Sequence, residues 1–280
     1  MRFVSLLAFA TLAACGSGDS PAVVDAGADQ ATVDAGAVDA PDGDAPGLVV
    51  PDAGPSLHVL FIGNSYTYVN DLPTRLHLLS LAQSDGRVIE VSSVTVGAAN
   101  LGNHWLNPAV KSAIAAGGND FVVLQGQSIE PIVSTKNFHD YGLLLAGAAK
   151  DANAIPVFYE TWARKSGAPE YLESWSGGSP DAMQDLLLAG YATVTTDSGG
   201  KLAPVGEAFR IVWQTQPAIE LYDPDGSHPS VAGTYLAACV FYDALEGKTF
   251  GATGGVPDGL SPSDAAILRD AAAKAVAAHP

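Results

Sequence analysis

Two short segments, 163 positions apart, carry residue types that can do nucleophilic chemistry together. The first is Phe61-Ile62-Gly63-Asn64-Ser65-Tyr66, an apolar run that breaks at a glycine and then presents a serine. The second is Asp223-Pro224-Asp225-Gly226-Ser227-His228-Pro229. A serine hydroxyl is a poor nucleophile near neutral pH and needs a base to take its proton. Histidine has a suitable pKa, and a carboxylate on its second ring nitrogen fixes the tautomer and stabilises the imidazolium. Asp225 and His228 are three apart around an Asp-Gly turn, so one segment supplies both groups, with Asp223 as a fallback acid. Pro229 restrains the backbone beside the imidazole at the start of the next helix. Taken singly, each residue has a plainer reading: Ser65 as a helix cap, His228 as a loop residue.

The intervening chain has to position these groups, and its pattern says how. Leu57 to Ile62 is a short apolar run suited to a buried parallel strand. Leu72 to Gln83 has the spacing of a helix, Val88 to Val96 of a second strand, and Leu101 to Ala116 of a second helix stopped by Gly117-Gly118. Phe121 to Leu124 is a third strand. Then come a helix over Tyr141 to Ala152, a strand over Ile155 to Tyr159, a helix over Asp181 to Thr195 and a short strand at Leu202 to Val205. Helices around Glu207–Trp213, Val231–Leu245 and Asp264–Ala278 finish the pattern. Strands alternating with helices predict a parallel sheet covered on both faces, an open α/β sandwich. In such sheets ligands bind beyond the carboxyl ends of the strands. The turns at Gly63–Asn70, Gly97–Leu101, Gln125–Pro131 and Glu160–Lys165 are therefore the places to look, with the segment that precedes Val231. Ser65 falls at the first of them, beside a helix N-terminus, where backbone N–H groups favour a developing negative charge.

Gly63-Asn64-Ser65 early in the folded region, with Asp225-x-x-His228 late in it, resembles the SGNH/GDSL hydrolase superfamily over about residues 57–246. The resemblance implies a three-layer α/β/α sandwich with a flavodoxin-like parallel sheet of about five strands. It implies ester hydrolysis by a Ser-His-Asp mechanism in which Ser65, His228 and Asp225 are catalytic, without metal or cofactor. It further implies that the Gly97 N–H, in Val94-Thr95-Val96-Gly97-Ala98-Ala99-Asn100, joins the Ser65 N–H in an oxyanion hole. The third block departs from the family pattern. Where Gly-x-Asn-Asp is usual, this chain has Leu124-Gln125-Gly126-Gln127-Ser128, which resembles the Gln-Gly-Glu-Ser type of carbohydrate acetylesterase branches. A glutamine carboxamide offers the same N–H donor on a stem one methylene longer. Gln125, ending the strand, is the first choice for the third donor and Gln127 the second.

Other candidates stand at the same ends of the strands. Asn64, beside the serine, is a candidate substrate contact. So are Glu160 and Trp162 of Tyr159-Glu160-Thr161-Trp162, the first for a hydroxyl and the second for stacking on a sugar; a capping acid and a core aromatic are equally open. His104 and Trp105 read as packing or rim residues, and Cys239 as core. The Gly- and Ser-rich connection from Lys165 to Pro180, with Tyr171 and Trp175, is either a wall of the site or decoration. There is no nucleotide-binding glycine loop after the first strand, no His-Glu-x-x-His and no basic aromatic patch.

Composition narrows the partners. Of 280 residues, 48% are hydrophobic and only 15% charged, which suits one domain with a sizeable core. Thirteen Lys+Arg against thirty Asp+Glu give a net charge of −17, which argues against a nucleic-acid partner. Two cysteines, Cys15 and Cys239, exclude a disulfide framework and a cysteine-rich zinc site. Arg2, the apolar stretch Phe3–Leu12 and Leu12-Ala13-Ala14-Cys15 have the form of an export signal, residues 1–14, whose end resembles a bacterial lipobox with lipid attached at Cys15. Residues 16–55 hold eight Asp, no Lys or Arg and no aromatic residue, and have too little to bury; they read as a solvated tether. Residues 56–280 form the hydrolase-like domain. The expectation is an exported esterase, lipid-anchored to the cell envelope and touching the membrane through that anchor only. Its substrate would be an acylated small molecule or carbohydrate, with the acyl group an acetyl first of all. A surface carbohydrate-binding module on the same fold and an O-acyltransferase are the rival readings.

Overall fold

The computed structural model describes residues 56–280. The expected signal with Cys15 and the expected 16–55 tether lie outside the described residues. Five strands form one wholly parallel sheet: β1 (Leu57–Gly63), β2 (Ile89–Thr95), β3 (Phe121–Leu124), β4 (Ile155–Tyr159) and β5 (Lys201–Ala203), in the order β2-β1-β3-β4-β5. This is the expected three-layer architecture. Alternate strand residues face opposite sides, and the core divides accordingly. Val59, Phe61, Val123, Val157 and Tyr159 join one apolar cluster, whereas Leu60, Ile62, Val122, Leu124 and Phe158 join the other.

The helices are α1 (Ser65–Tyr68), α2 (Leu72–Ala82), α3 (Leu101–Leu106), α4 (Pro108–Ala115), α5 (Glu130–Val133), α6 (Thr135–Asp151), α7 (Pro180–Ser198), α8 (Val205–Thr215), α9 (Val231–Glu246) and α10 (Pro262–Ala278). The first face of the sheet is covered by α2, α8, α9 and α10, the second by α3, α4, α6 and α7. Helix α9 is buried on nearly every side, which explains its near-continuous apolar sequence from Tyr235 to Tyr242. Among the described residues, no helix is long and apolar enough to cross a membrane.

Two expected elements are corrected. The helix read across Leu101–Ala116 is two helices, because Pro108 has no N–H to donate and its ring excludes a helical Asn107. Asn107 instead caps the second helix, its side chain accepting from the Ala109 N–H at 2.9 Å. Helix α6 also begins earlier than its apolar spacing indicates, since its first turn, Thr135-Lys136-Asn137, is polar.

The chain runs from β1 outward to β2 and then returns to the other side of β1 as β3. The reversal leaves a crevice above the carboxyl end of β1. Ser65 stands there, two residues past Gly63.

Candidate active site

Residue by residue, the crevice is built from the Ser65 turn outward. Asn64 caps α1, its side-chain oxygen accepting from the Tyr66 N–H at 3.1 Å, and this presents Ser65 as the first helical residue. Across the domain, Asp225 organises its own turn. One carboxylate oxygen accepts the backbone N–H groups of Ser227 and His228, each at 2.9 Å, while the other meets His228 Nδ1 at 2.5 Å. Gly226, at φ +68°, supplies the left-handed bend this requires. Two contacts pin the turn from outside: the Asp223 N–H donates to the His228 carbonyl at 2.9 Å, and the Lys165 N–H to the Gly226 carbonyl at 2.9 Å. Asp223, the fallback acid, thus meets this turn through its backbone.

Fold and turns together place His228 Nε2 2.8 Å from Ser65 Oγ. With Nδ1 carrying the proton toward Asp225, Nε2 is left as the acceptor facing the serine hydroxyl. Burial alone would raise the Asp225 carboxyl, but hydrogen bonds from the His228 ring and from the Ser227 and His228 N–H groups outweigh it and hold the pKa below the ordinary value. The acid of the trio is therefore an anion at neutral pH.

The side expected to hold an oxyanion is set by strand register. Gly63 pairs with Thr95, so the segments carrying Ser65 and Gly97 leave the sheet together at the same end. The Val96 N–H is spent on the Gly63 carbonyl at 3.0 Å, whereas the Ser65 and Gly97 N–H groups have no acceptor among the described residues. A Cβ on Gly97 would meet only the Tyr68 hydroxyl, at 3.3 Å. A Cβ could therefore be taken up here only if the Tyr68 hydroxyl gave way by a few tenths of an ångström.

Four sequence-predicted roles are corrected. Gln125 is fully buried, and its Nε2 donates to Asn64 Oδ1 at 2.8 Å and to the Gly126 carbonyl at 2.6 Å. Its Oε1 accepts from the Asn64 N–H at 2.9 Å and from Thr67 Oγ1 at 2.8 Å, so no donor is left for a substrate oxygen. Gln127 is half-buried, with one N–H on Ser128 Oγ at 3.0 Å and the second free among the described residues; it is the glutamine that can still donate. Asn64 is buried and tied to the Ala99 carbonyl at 3.0 Å and the Gly126 carbonyl at 3.2 Å; it binds the three loops to one another rather than a substrate. Glu160 is buried beneath the surface, accepting from Gln184 and from the Glu207 N–H. Burial first, and then the nearby Glu207 charge, push its pKa up to about 8. Trp162 is fully buried between Tyr66 and Phe209, with ring centroids 4.4 and 4.2 Å away and near-parallel planes, so no face is open to a sugar.

His104 is also fully buried, and burial pushes its pKa down to about 4, which makes it a neutral packing residue. Trp105 lies at the surface of α3 with the Lys111 ammonium 4.9 Å over its ring. In the 165–180 connection, Trp175 packs against Ala163, Met183 and Leu187, and Pro169–Leu172 forms a single 3-10 turn.

Three further residues shape the site without an obvious sequence signal. Asn70, at φ +55°, donates to the Pro229 carbonyl at 2.8 Å and so joins the end of α1 to the His228 segment. Buried Glu130 accepts from the Leu101 and Gln127 N–H groups, both at 3.1 Å, clasping the second and third loops together. Tyr66 packs edge-on against the His228 ring, centroids 5.6 Å apart. Asn70 next to Asp71 looks like an ordinary loop pair, and a lone buried acid five residues past Gln125 has no motif to announce it.

No protein-family profile matches the chain, and no curated protein does. Among solved structures, a protein of Slackia heliotrinireducens classed as an SGNH hydrolase is 34% identical with a TM-score of 0.59, over 68% of this chain and 100% of its own. A DUF4886 family protein from Bacteroides uniformis is 18% identical with a TM-score of 0.67, over 80% of this chain and 95% of its own. An acetyl-xylooligosaccharide esterase variant from Geobacillus is 14% identical with a TM-score of 0.53, over 69% and 96%. The second and third likenesses are of fold. The first, with its identity and its full coverage of the related protein, shows that this chain belongs to the SGNH hydrolase superfamily.

Proposed function

We propose that the protein is an esterase that removes short acyl groups, acetyl foremost, from a carbohydrate, with Ser65 as nucleophile. The observation that carries this reading is the 2.8 Å approach of His228 Nε2 to Ser65 Oγ, with Asp225 on the opposite ring nitrogen. In the proposed mechanism Ser65 Oγ attacks the acyl carbonyl carbon as its proton passes to His228 Nε2. The carbonyl oxygen becomes an oxyanion facing the Ser65 and Gly97 N–H groups, with the free N–H of Gln127 as third donor. The imidazolium, stabilised by Asp225, then protonates the leaving alkoxide, and the sugar departs as an alcohol. A water molecule, deprotonated by His228, attacks the acyl-enzyme, and the acid and Ser65 are released.

Exposure supports a bulky leaving group. The side chains of Asp225 and His228 are 49% and 35% exposed, so the catalytic face opens directly to solvent. Glycine at position 97, where a Cβ would meet one flexible side-chain end and no backbone, suits the approach of substrate to that N–H. The carbohydrate and acetyl assignment rests on the third-block resemblance and on the Geobacillus esterase among fold neighbours.

The direct test is turnover of p-nitrophenyl acetate by the purified protein and by Ser65→Ala. The proposal expects wild-type turnover and a loss of most of it in the variant. Equal rates for the two proteins would overturn it in favour of a binding module. Release of acetate against transfer to an added sugar then separates hydrolysis from acyl transfer.

We also propose that the protein is exported and held at the cell envelope by lipid on Cys15, with residues 16–55 as spacer. The lipobox-like Leu12-Ala13-Ala14-Cys15 and the eight uncompensated aspartates of the spacer support it.

A further inference from the structure

Between β4 and the 165–180 connection lies a buried cation that the mechanism above does not use. Arg164 is 7% exposed, and its guanidinium has three partners on three different segments. Nη1 donates to the Tyr66 hydroxyl at 2.7 Å, Nη2 to Ser128 Oγ at 2.9 Å, and Nε to Glu170 at 3.1 Å. Tyr66 and Ser128 are themselves buried. The contacts to Tyr66 and Ser128 lead to the site. The Tyr66 hydroxyl also meets Ser227 Oγ at 2.7 Å, one residue before His228, and the Tyr66 ring rests edge-on against the imidazole. Ser128 Oγ receives the amide of Gln127. Flanking residues reinforce the arrangement: Trp162 Nε1 donates to the Ser227 carbonyl at 3.0 Å, and the Lys165 N–H to the Gly226 carbonyl.

Burying a guanidinium is costly, and apolar residues of similar volume generally pack as well or better. A planar fork with donors at fixed angles, however, can hold three acceptors in fixed relation, which an ammonium cannot. We infer that Arg164 is a positioning residue for catalysis: through Tyr66 and Ser227 it sets the orientation of the His228 ring, and through Ser128 it sets that of the Gln127 amide. This rests on the reading of Ser65 and His228 as nucleophile and base.

The test compares Arg164→Lys, Tyr66→Phe and the double variant in the full-length protein. Two readouts are followed: steady-state kinetics on p-nitrophenyl acetate and the far-downfield proton resonance of the Asp225–His228 hydrogen bond. Arg164→Lys is expected to lower kcat about tenfold or more with KM within about twofold, and to broaden or shift that resonance. The double variant should lose clearly less than the product of the two single losses, because both break one chain of contacts. Unchanged kcat and resonance in Arg164→Lys, or losses that simply multiply, would overturn the proposal. Failure of the esterase reading shows differently, as wild-type turnover that is absent or indifferent to Ser65→Ala. The proton resonance still decides the positioning role in that case: if it is unaltered in Arg164→Lys, the role is refuted.

Discussion

At the scale of single residues, the two glutamines of the third block show how burial assigns roles that composition leaves open. Both carry the same carboxamide, yet Gln125 points into the protein and spends every donor there, while half-buried Gln127 retains one N–H that no described residue accepts. Their substitutions should therefore fail differently. Gln127→Ala is expected to lower kcat by roughly 10²–10³-fold, the usual loss for one oxyanion donor, with melting temperature little changed. Gln125→Ala would strand the Asn64 N–H and Thr67 hydroxyl and is expected to destabilise the fold by about 1–3 kcal/mol per orphaned group. Parallel kinetics and thermal melts of the two variants check the assignment, and a Gln127→Ala variant with full kcat would exclude that residue as a donor.

At the scale of elements, the site depends on how tightly β1 joins α1. Gly63 ends the strand in a space that admits no side chain: a Cβ there would overlap the Thr67 hydroxyl and come within 2.6 Å of Gln125 Oε1. Its backbone is not in the left-handed region, so the requirement is one of room. Gly63→Ala should push the Gln125 carboxamide and α1 apart, moving Ser65 relative to His228. Because a misplacement of about 1 Å can cost on the order of 10²-fold in rate, kcat is expected to fall by at least about tenfold in whatever fraction remains folded. Active-site titration beside circular dichroism separates lost chemistry from lost fold. Full activity per folded molecule would show that the junction tolerates the shift.

At the scale of the whole molecule, buried acids make stability depend on pH. Asp243, in the buried helix α9, accepts the Phe250 N–H at 2.6 Å with one oxygen and has no partner for the other among the described residues. Burial raises its pKa from 3.8 to about 7. A carboxyl raised on folding favours the protonated native state. Its contribution is therefore fully present below the unfolded value and is lost as pH climbs from about 4 through about 7. Wild-type melting temperature should fall over that window, by the equivalent of at most about 4 kcal/mol from this group, and Asp243→Asn should flatten the fall. Thermal melts between pH 4 and about 8 measure both slopes, and identical slopes would exclude Asp243 as the cause. The envelope proposal belongs to this scale too. Cys15→Ser is expected to move the protein from the membrane fraction to the soluble one, by fractionation and immunoblot, whereas unchanged retention would refute the lipid anchor.

Periodicity alone made the fold legible. Short apolar runs alternating with helical spacing leave a covered parallel sheet as the way to bury both faces of each strand, and the five strands appear where those runs lie. The Ser65 and Asp225-x-x-His228 segments were legible as well, because a tight turn confines the acid and the imidazole to each other. Local pattern could not decide which polar and aromatic residues at the strand ends look outward. Asn64, Gln125, Glu160 and Trp162 share the address of an active site but face inward, since neighbouring loops and helices supply partners that satisfy them away from water. The meeting of Ser65 with His228 across 163 residues and the convergence of Tyr66 and Ser128 on Arg164 join segments distant in the chain. Strand order and packing bring such groups together, and neither is written in the local pattern around any one of them.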